Sequence, residues 1–200
     1  MSDCTVRREI EIPMGEGKAR YYTFHGLTDG KEHLALGFGH WEMQDQPLVR
    51  LHSECLTGDV FGSGKCDCGE QLRESLDRFQ REGGLLIYLR QEGRGMGLYN
   101  KLDAYGLQQQ GVDTFTANEM LGFPADMRCY ASAAQMLKAL GVASVRLLTN
   151  NPEKAKELEA CGVAVAEVLP TGVFVKTENL SYLMAKQRSG HNLTFTGVKS

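Results

Sequence analysis

The sequence predicts one α/β domain over residues 1–200, a mixed sheet flanked by helices with a β-rich N-terminal half. Three observations lead there. Up to Glu54 the chain reads as a succession of strands joined by turn residues. Beyond Gln71, helical periods alternate with short apolar runs, the pattern of strand–helix units. No repeat, low-complexity stretch or linker divides the chain.

Val6–Ile12 alternates apolar and polar side chains, Met14-Gly15-Glu16-Gly17 forms a turn, and Ala19–His25 brings aromatic, half-buried strand chemistry. Thr28-Asp29-Gly30-Lys31 carries an Asp-Gly hairpin signal, with His33–Phe38 as the returning strand. Leu48–Glu54 is a further strand that runs into a cysteine-rich loop. Gln71–Glu82 sets Leu72, Leu76 and Phe79 on one helical face, and Gly83-Gly84 stops it. Leu85–Leu89 is a nearly continuous apolar run, expected to be a buried strand. Leu98–Gln110 reads as a helix stopped at Gly111, and Tyr130–Leu140 as an amphipathic helix ended by Gly141. Ser144–Thr149 is a strand. Asn151-Pro152 opens a helix through Ala160, which Gly162 closes. Val163–Leu169 is expected to be a last buried strand. Thr177 is expected to cap a helix through Lys186, and residues 190–200 to form a flexible tail.

Composition narrows the function classes. A 42% apolar and 24% charged chain is ordinary for a soluble globular protein. A formal net charge of −3 offers no general nucleic-acid or membrane surface, so a polyanionic ligand would need locally concentrated basic residues. No apolar run reaches the roughly 18 residues of a spanning helix. Six cysteines without an apolar leader argue for a reducing, cytoplasmic setting rather than a disulfide framework.

Three of those cysteines, Cys55, Cys66 and Cys68, fall within fourteen positions. Thiolates are preferred zinc ligands, and the three glycines between them let the backbone turn tightly around a metal. Three protein ligands with a fourth position left for water is a catalytic arrangement. Two other readings stay open on spacing alone. Cys66-x-Cys68 would serve as a redox pair, or His52 would add a fourth ligand and close the site. Cys129 and Cys161 read as small buried hydrophobes.

Arg90-Gln-Glu-Gly-Arg94-Gly-Met-Gly97 lies between a buried strand and a helix, a position that offers backbone N–H groups to an anion. It matches no nucleotide-binding fingerprint, and a tight turn with solvated arginines is the plain reading. Arg50, Arg128 and Lys154 add a second basic set at predicted strand ends or loops, where ligands gather in α/β proteins.

Arg50-Leu-His-Ser-Glu-Cys-Leu-Thr-Gly-Asp59, Cys66-Asp-Cys-Gly69, Arg90-Gln-Glu-Gly-Arg94 and Leu147-Leu-Thr-Asn-Asn-Pro152 together resemble the GTP cyclohydrolase II family of riboflavin biosynthesis. The resemblance runs from the early strands to the helix at Tyr182–Gly190. It implies hydrolysis of GTP to 2,5-diamino-6-(5-phosphoribosylamino)pyrimidin-4(3H)-one, formate and pyrophosphate. It further implies one zinc per subunit on Cys55, Cys66 and Cys68, magnesium with the GTP phosphates, and a cytoplasmic homodimer. Nucleotide contacts would come from Arg50, Leu51, His52, Ser53, Glu54, Gln71, Glu92, Gly93, Arg94, Thr114, Thr149 and Lys154. Asp126 resembles the family's proton acceptor, Arg128 its proposed nucleophile, and Tyr105 the tyrosine tied to ring opening. A guanidinium stays protonated below a pKa of about 12, so charge stabilisation is the plainer physical role for Arg128. Cys129 departs from the family pattern, which has an aspartate there, and is expected to leave Arg128 without one partner.

Overall fold

The computed structural model describes residues 4–15, 17–112, 114–124 and 126–194, without the side chains of Thr114 and Phe115. Seven strands of the described residues form one sheet: β1 (Thr5–Met14), β2 (Gly17–His25), β3 (Leu34–Phe38), β4 (Leu48–Ser53), β5 (Gly84–Leu89), β6 (Ser144–Leu148) and β7 (Ala164–Leu169). Their order is β1-β2-β3-β5-β4-β6-β7. Hairpin turns pair β1 with β2 and β2 with β3 antiparallel, β3 pairs antiparallel with β5 across a longer connection, and β5, β4, β6 and β7 pair parallel. The helices are α1 (Leu56–Asp59), α2 (Cys68–Glu82), α3 (Leu98–Gln109), α4 (Thr114–Met120), α5 (Ala131–Ala139), α6 (Pro152–Ala160) and α7 (Leu180–Arg188).

Strand alternation splits the core into two layers. Val49 and Leu51 of β4, with Leu85, Ile87 and Leu89 of β5, face one side and meet Ala133, Met136 and Leu137 of α5 and Leu158 of α6. Leu48 and Leu86 face the other side, against Phe79 of α2 and Phe38, whose rings stack 5.9 Å apart. The expected face of α2 is the buried one: Phe79 is fully enclosed, with Leu72 and Leu76 packed beside it. Because β4 leads through α2 on one face and β5 through α3 to α5 on the other, a crevice opens at the carboxyl ends of the parallel strands.

Four expectations change. The last strand, β7, is mostly exposed, because among the described residues it is an edge strand paired only with β6; the enclosed residue is Val163, just before it. Residues 112–129, without a predicted element, contain α4. A 3₁₀ turn at Thr177–Asn179 precedes α7, whose N-cap is Asn179. The tail expected from Gly190 is docked as far as it is described: Asn192 N–H donates to Asn150 O (2.8 Å) and Leu193 is buried. Residues 195–200 lie outside the described set. No helix among the described residues is long and apolar enough to cross a membrane.

Candidate active site

β4 delivers the chain to Cys55, which caps α1, and the glycine-bearing loop returns to Cys66 and Cys68 at the start of α2. The three Sγ atoms lie within 4.8 Å of one another, and Cys55 Sγ sits 3.6 Å from Cys66 Sγ. Two thiolates on a tetrahedral zinc, each about 2.3 Å from it, would stand about 3.8 Å apart, so the trio fits that ion. Gly58 makes the approach possible: a Cβ there would lie 2.9 Å from Cys66 Sγ and 3.2 Å from Cys55 Sγ. Without a cation the three thiols cannot ionise together. Hydrogen bonds from Cys66 and Cys68 drive the Cys55 thiol far down, and donating those bonds pushes Cys66 up to about 11 and Cys68 well above the ordinary thiol value.

His52 is not part of the trio. Its Nε2 faces both carboxylate oxygens of Asp59 (3.0 and 3.1 Å), and Asp59 also accepts from Tyr88 Oη (2.8 Å) and Cys55 N–H (3.0 Å). Burial lowers the His52 pKa against the pull of Asp59, which keeps the ring neutral. The fourth-ligand reading is therefore excluded by where the ring points. Nothing pairs the remaining thiols covalently: all six cysteines are free.

The glycine-bearing loop after β5 is a 3₁₀ turn at Glu92–Gly95, with Gly93 and Arg94 both in the left-handed region (φ 61° and 57°). For arginine that conformation is uncommon and held by its surroundings; Arg94 O accepts from Met127 N–H (2.9 Å). The Glu92 carboxylate is spent inside the protein. It accepts from Leu56 N–H (2.7 Å), Gly93 N–H (2.8 Å) and Lys101 Nζ (2.9 Å). Lys101 also donates to Cys55 Sγ (3.2 Å) and Thr57 Oγ1 (2.9 Å), and lies over the Tyr105 ring. Burial opposes its charge, but Cys55 and Glu92 hold its pKa above the ordinary lysine value. Tyr105 lines the same cavity as the cysteines; burial, only partly offset by Lys101, pushes its hydroxyl up to about 12.

An adjoining cavity is basic. Arg50 and His52 project from the α2 side of β4, Arg50 from the middle of the strand and His52 one residue before its end. Arg50 Nη2 donates to Gln71 Oε1 (3.0 Å), while Arg50 Nε and His52 Nδ1 are buried without a partner among the described residues. Orphaned buried polar atoms beside a cavity point to a ligand. Thr149 and Lys154, after β6, line the same cavity. Lys154 Nζ donates to Leu51 O (2.6 Å), and burial together with Arg50, Arg128 and Lys186 lowers its pKa well below the usual value. Ser53, Cys68, Arg128, Tyr182, Lys186 and His191 line both cavities, so the two are continuous.

Of the expected contacts, Ser53, Glu54, Glu92, Gly93 and Arg94 line the cysteine cavity, and Arg50, His52, Gln71, Thr149 and Lys154 the basic one. Leu51 does not: alternation turns its side chain into the core, fully buried, and only its carbonyl faces Lys154. The Thr114 side chain lies outside the described residues. Asp126 grips Arg128 through Nε (2.9 and 3.1 Å) and Nη2, and accepts from its backbone N–H (3.0 Å). Burial disfavours the Arg128 charge, but the Asp126 carboxylate outweighs it and raises the pKa further; Asp126 in turn is lowered. Cys129 is exposed, against the expected burial, because it precedes α5 on a surface loop. Sequence reasoning gave no role to Asp59, Asp67, Lys101, Tyr182, Lys186 or His191. Asp59 and Asp67 carried a signal, since both stand inside the quoted cysteine string.

Comparison with known proteins agrees with this geometry. The family model described as GTP cyclohydrolase II matches residues 5–170. A GTP cyclohydrolase-2 of Psychromonas ingrahamii is 51% identical over 195 residues, covering 95% of this chain and 98% of that one. One from Vibrio cholerae is 51% identical over 92% of this chain and 96% of its own. The riboflavin biosynthesis protein RibBA of Bacillus cereus is 52% identical over 94% of this chain, which matches 48% of that longer protein. With three clustered thiols, a buried lysine–glutamate platform and a continuous basic crevice set on a match of this extent, the chain belongs to the GTP cyclohydrolase II family.

Proposed function

We propose that the protein is a GTP cyclohydrolase II, a hydrolase that opens the imidazole ring of GTP and releases formate and pyrophosphate in the first step of riboflavin biosynthesis. The observation that carries the reading is the continuity of the three-thiol corner with the basic crevice, in a chain about half identical to GTP cyclohydrolases-2 along nearly its whole length. The reactive end of the purine belongs at the cysteines and the phosphates among Arg50, Arg94 and Lys154. A triphosphate would bring negative charge into this cluster of cations and favour the protonated form of Lys154.

Cys55, Cys66 and Cys68 are the residues that would hold zinc, one per subunit. Bound zinc would act as a Lewis acid and activate water near neutral pH. Magnesium would travel with the phosphates and share their charge with the basic residues. Tyr105, protonated at neutral pH, is a proton donor toward the purine nitrogens. Gln71 and Glu92 act through other groups, Gln71 by fixing Arg50 and Glu92 by fixing Lys101 and α1. Asp126 orients Arg128, whose guanidinium stays charged and stabilises developing negative charge at the phosphates. That favours charge stabilisation over attack by Arg128. Replacing Arg128 by methionine is expected to lower turnover about 10²- to 10³-fold, with Arg128→Lys recovering only part, since lysine lacks the planar fork. A covalent nucleotide adduct on Arg128, trapped by denaturing quench, would make it the nucleophile instead.

A homodimer is supported by the outer edge of β1, which is unpaired among the described residues and exposes Ile10 and Ile12 on one face. Thiols kept reduced for a metal favour the cytoplasm. The deciding experiment incubates purified protein with GTP and magnesium and follows formate, pyrophosphate and the pyrimidine product. Pyrophosphate without formate would leave a triphosphate hydrolase and defeat the ring-opening assignment.

A further inference from the structure

The residues that close the site come from a part of the chain beyond the quoted motifs and beyond residue 170, where the family model ends. The match ends at residue 170, whereas α7 begins at Leu180 and brings Tyr182 and Lys186 into the wall shared by both cavities. Lys186 Nζ donates to Asp67 Oδ1 (2.8 Å) and lies 4.6 Å from the centre of the Tyr182 ring. Tyr182 Oη in turn stands 4.0 Å from Cys68 Sγ.

Asp67 is the residue between two of the three clustered cysteines, and it is fully buried. Its second oxygen accepts from Gln71 Nε2 (2.8 Å), and Gln71 Oε1 accepts from Arg50 (3.0 Å). Gln71 Nε2 also reaches Gly172 O (3.2 Å), on the segment that leads to α7. One chain of contacts therefore runs from α7 through the cysteine loop and α2 to the basic strand β4. A buried carboxylate is tolerable only with its cation and donors in place. Lys186 is the only side-chain cation bonded to Asp67 among the described residues. Its position therefore governs where the backbone between Cys66 and Cys68 sits, and with it the spacing of the thiols.

We propose that Lys186 is a positioning residue for the reaction: by clamping Asp67 it holds the cysteine loop in metal-binding register and joins it, through Gln71, to Arg50. The proposal rests on the GTP cyclohydrolase reading of the site. It differs from a direct phosphate contact by Lys186, which would act on substrate affinity rather than on the metal corner.

The test compares Lys186→Met, Lys186→Arg, Asp67→Asn and the Lys186→Met/Asp67→Asn double variant in the full chain, each with thermal unfolding as a control. Lys186→Met is expected to release zinc to a competing chelator about 10-fold more readily and to lose about 10- to 100-fold in turnover, the scale of an outer-shell change, with the KM for GTP nearly unmoved. Lys186→Arg should recover most of both. The double variant, which leaves no stranded carboxylate, should retain zinc better than Lys186→Met alone. Wild-type zinc retention and turnover in a folded Lys186→Met protein would overturn the proposal, as would a rise in KM at unchanged turnover. The double variant also lacks the clamp, so wild-type zinc retention and turnover in it would overturn the proposal as well, and that arm serves even if Lys186→Met alone does not fold. If the wild-type protein released no formate from GTP, the assigned reaction would fail, while the chelator arm would still decide whether Lys186 holds the cysteine loop.

Discussion

Cys66→Ser is expected to end formate release from GTP altogether, with zinc no longer retained through dialysis. The Cys66 side chain is buried and its sulfur is 3.6 Å from that of Cys55, so the thiol has no function in the fold that solvent could replace. A serine hydroxyl is shorter, harder and not ionised near neutral pH, and leaves two thiolates where three are needed. The loss should exceed the about 10- to 100-fold that an outer-shell change costs, because a ligand itself is gone. Metal content and formate are measured on the same preparation. Formate release at the wild-type rate from a Cys66→Ser protein shown to hold zinc would remove the cysteines from the chemistry.

Tyr105→Phe separates chemistry from metal binding. The ring lies beside Lys65 (5.3 Å) and Lys101 (5.7 Å) and lines the cysteine cavity, and a phenol is not among the usual zinc ligands. Removal of the hydroxyl should therefore leave zinc content, unfolding temperature and the KM for GTP close to wild type. Turnover should fall by about 10² to 10⁴, the range for losing a positioned proton donor. Since burial pushes the phenol up to about 12, it stays protonated across the neutral range, and the wild-type profile should lose this donor only in strong alkali. Unchanged turnover in the phenylalanine variant would assign Tyr105 to packing.

Much of this was legible in the primary structure, for identifiable reasons. Strands β1 to β3 carry alternation and turn residues that act over a few positions, so their pairing followed. Val163–Leu169 misled because an apolar run reports hydrophobicity, not sheet position: among the described residues β7 is the edge of the sheet. Leu51 misled in the opposite way. It lies inside a string expected to contact substrate, yet alternation between Arg50 and His52 sends its side chain into the core. Cys129 looked like a small buried hydrophobe, but its burial depended on where the loop before α5 runs.

By itself, the sequence determined the chemistry of the three-thiol corner and the order of the elements that carry it. Cys66 and Cys68 are separated by one residue and Cys55 by a glycine-bearing loop, so covalent connectivity alone brings the thiols near one another. Only the tertiary structure decided which charges meet. Lys186 and Asp67 are 119 residues apart and Lys101 and Cys55 46, and a lysine reads the same in a sequence whether it ends in water or on a buried partner. Packing makes that choice, because an ion is left in the interior only where a distant part of the chain arrives with its complement.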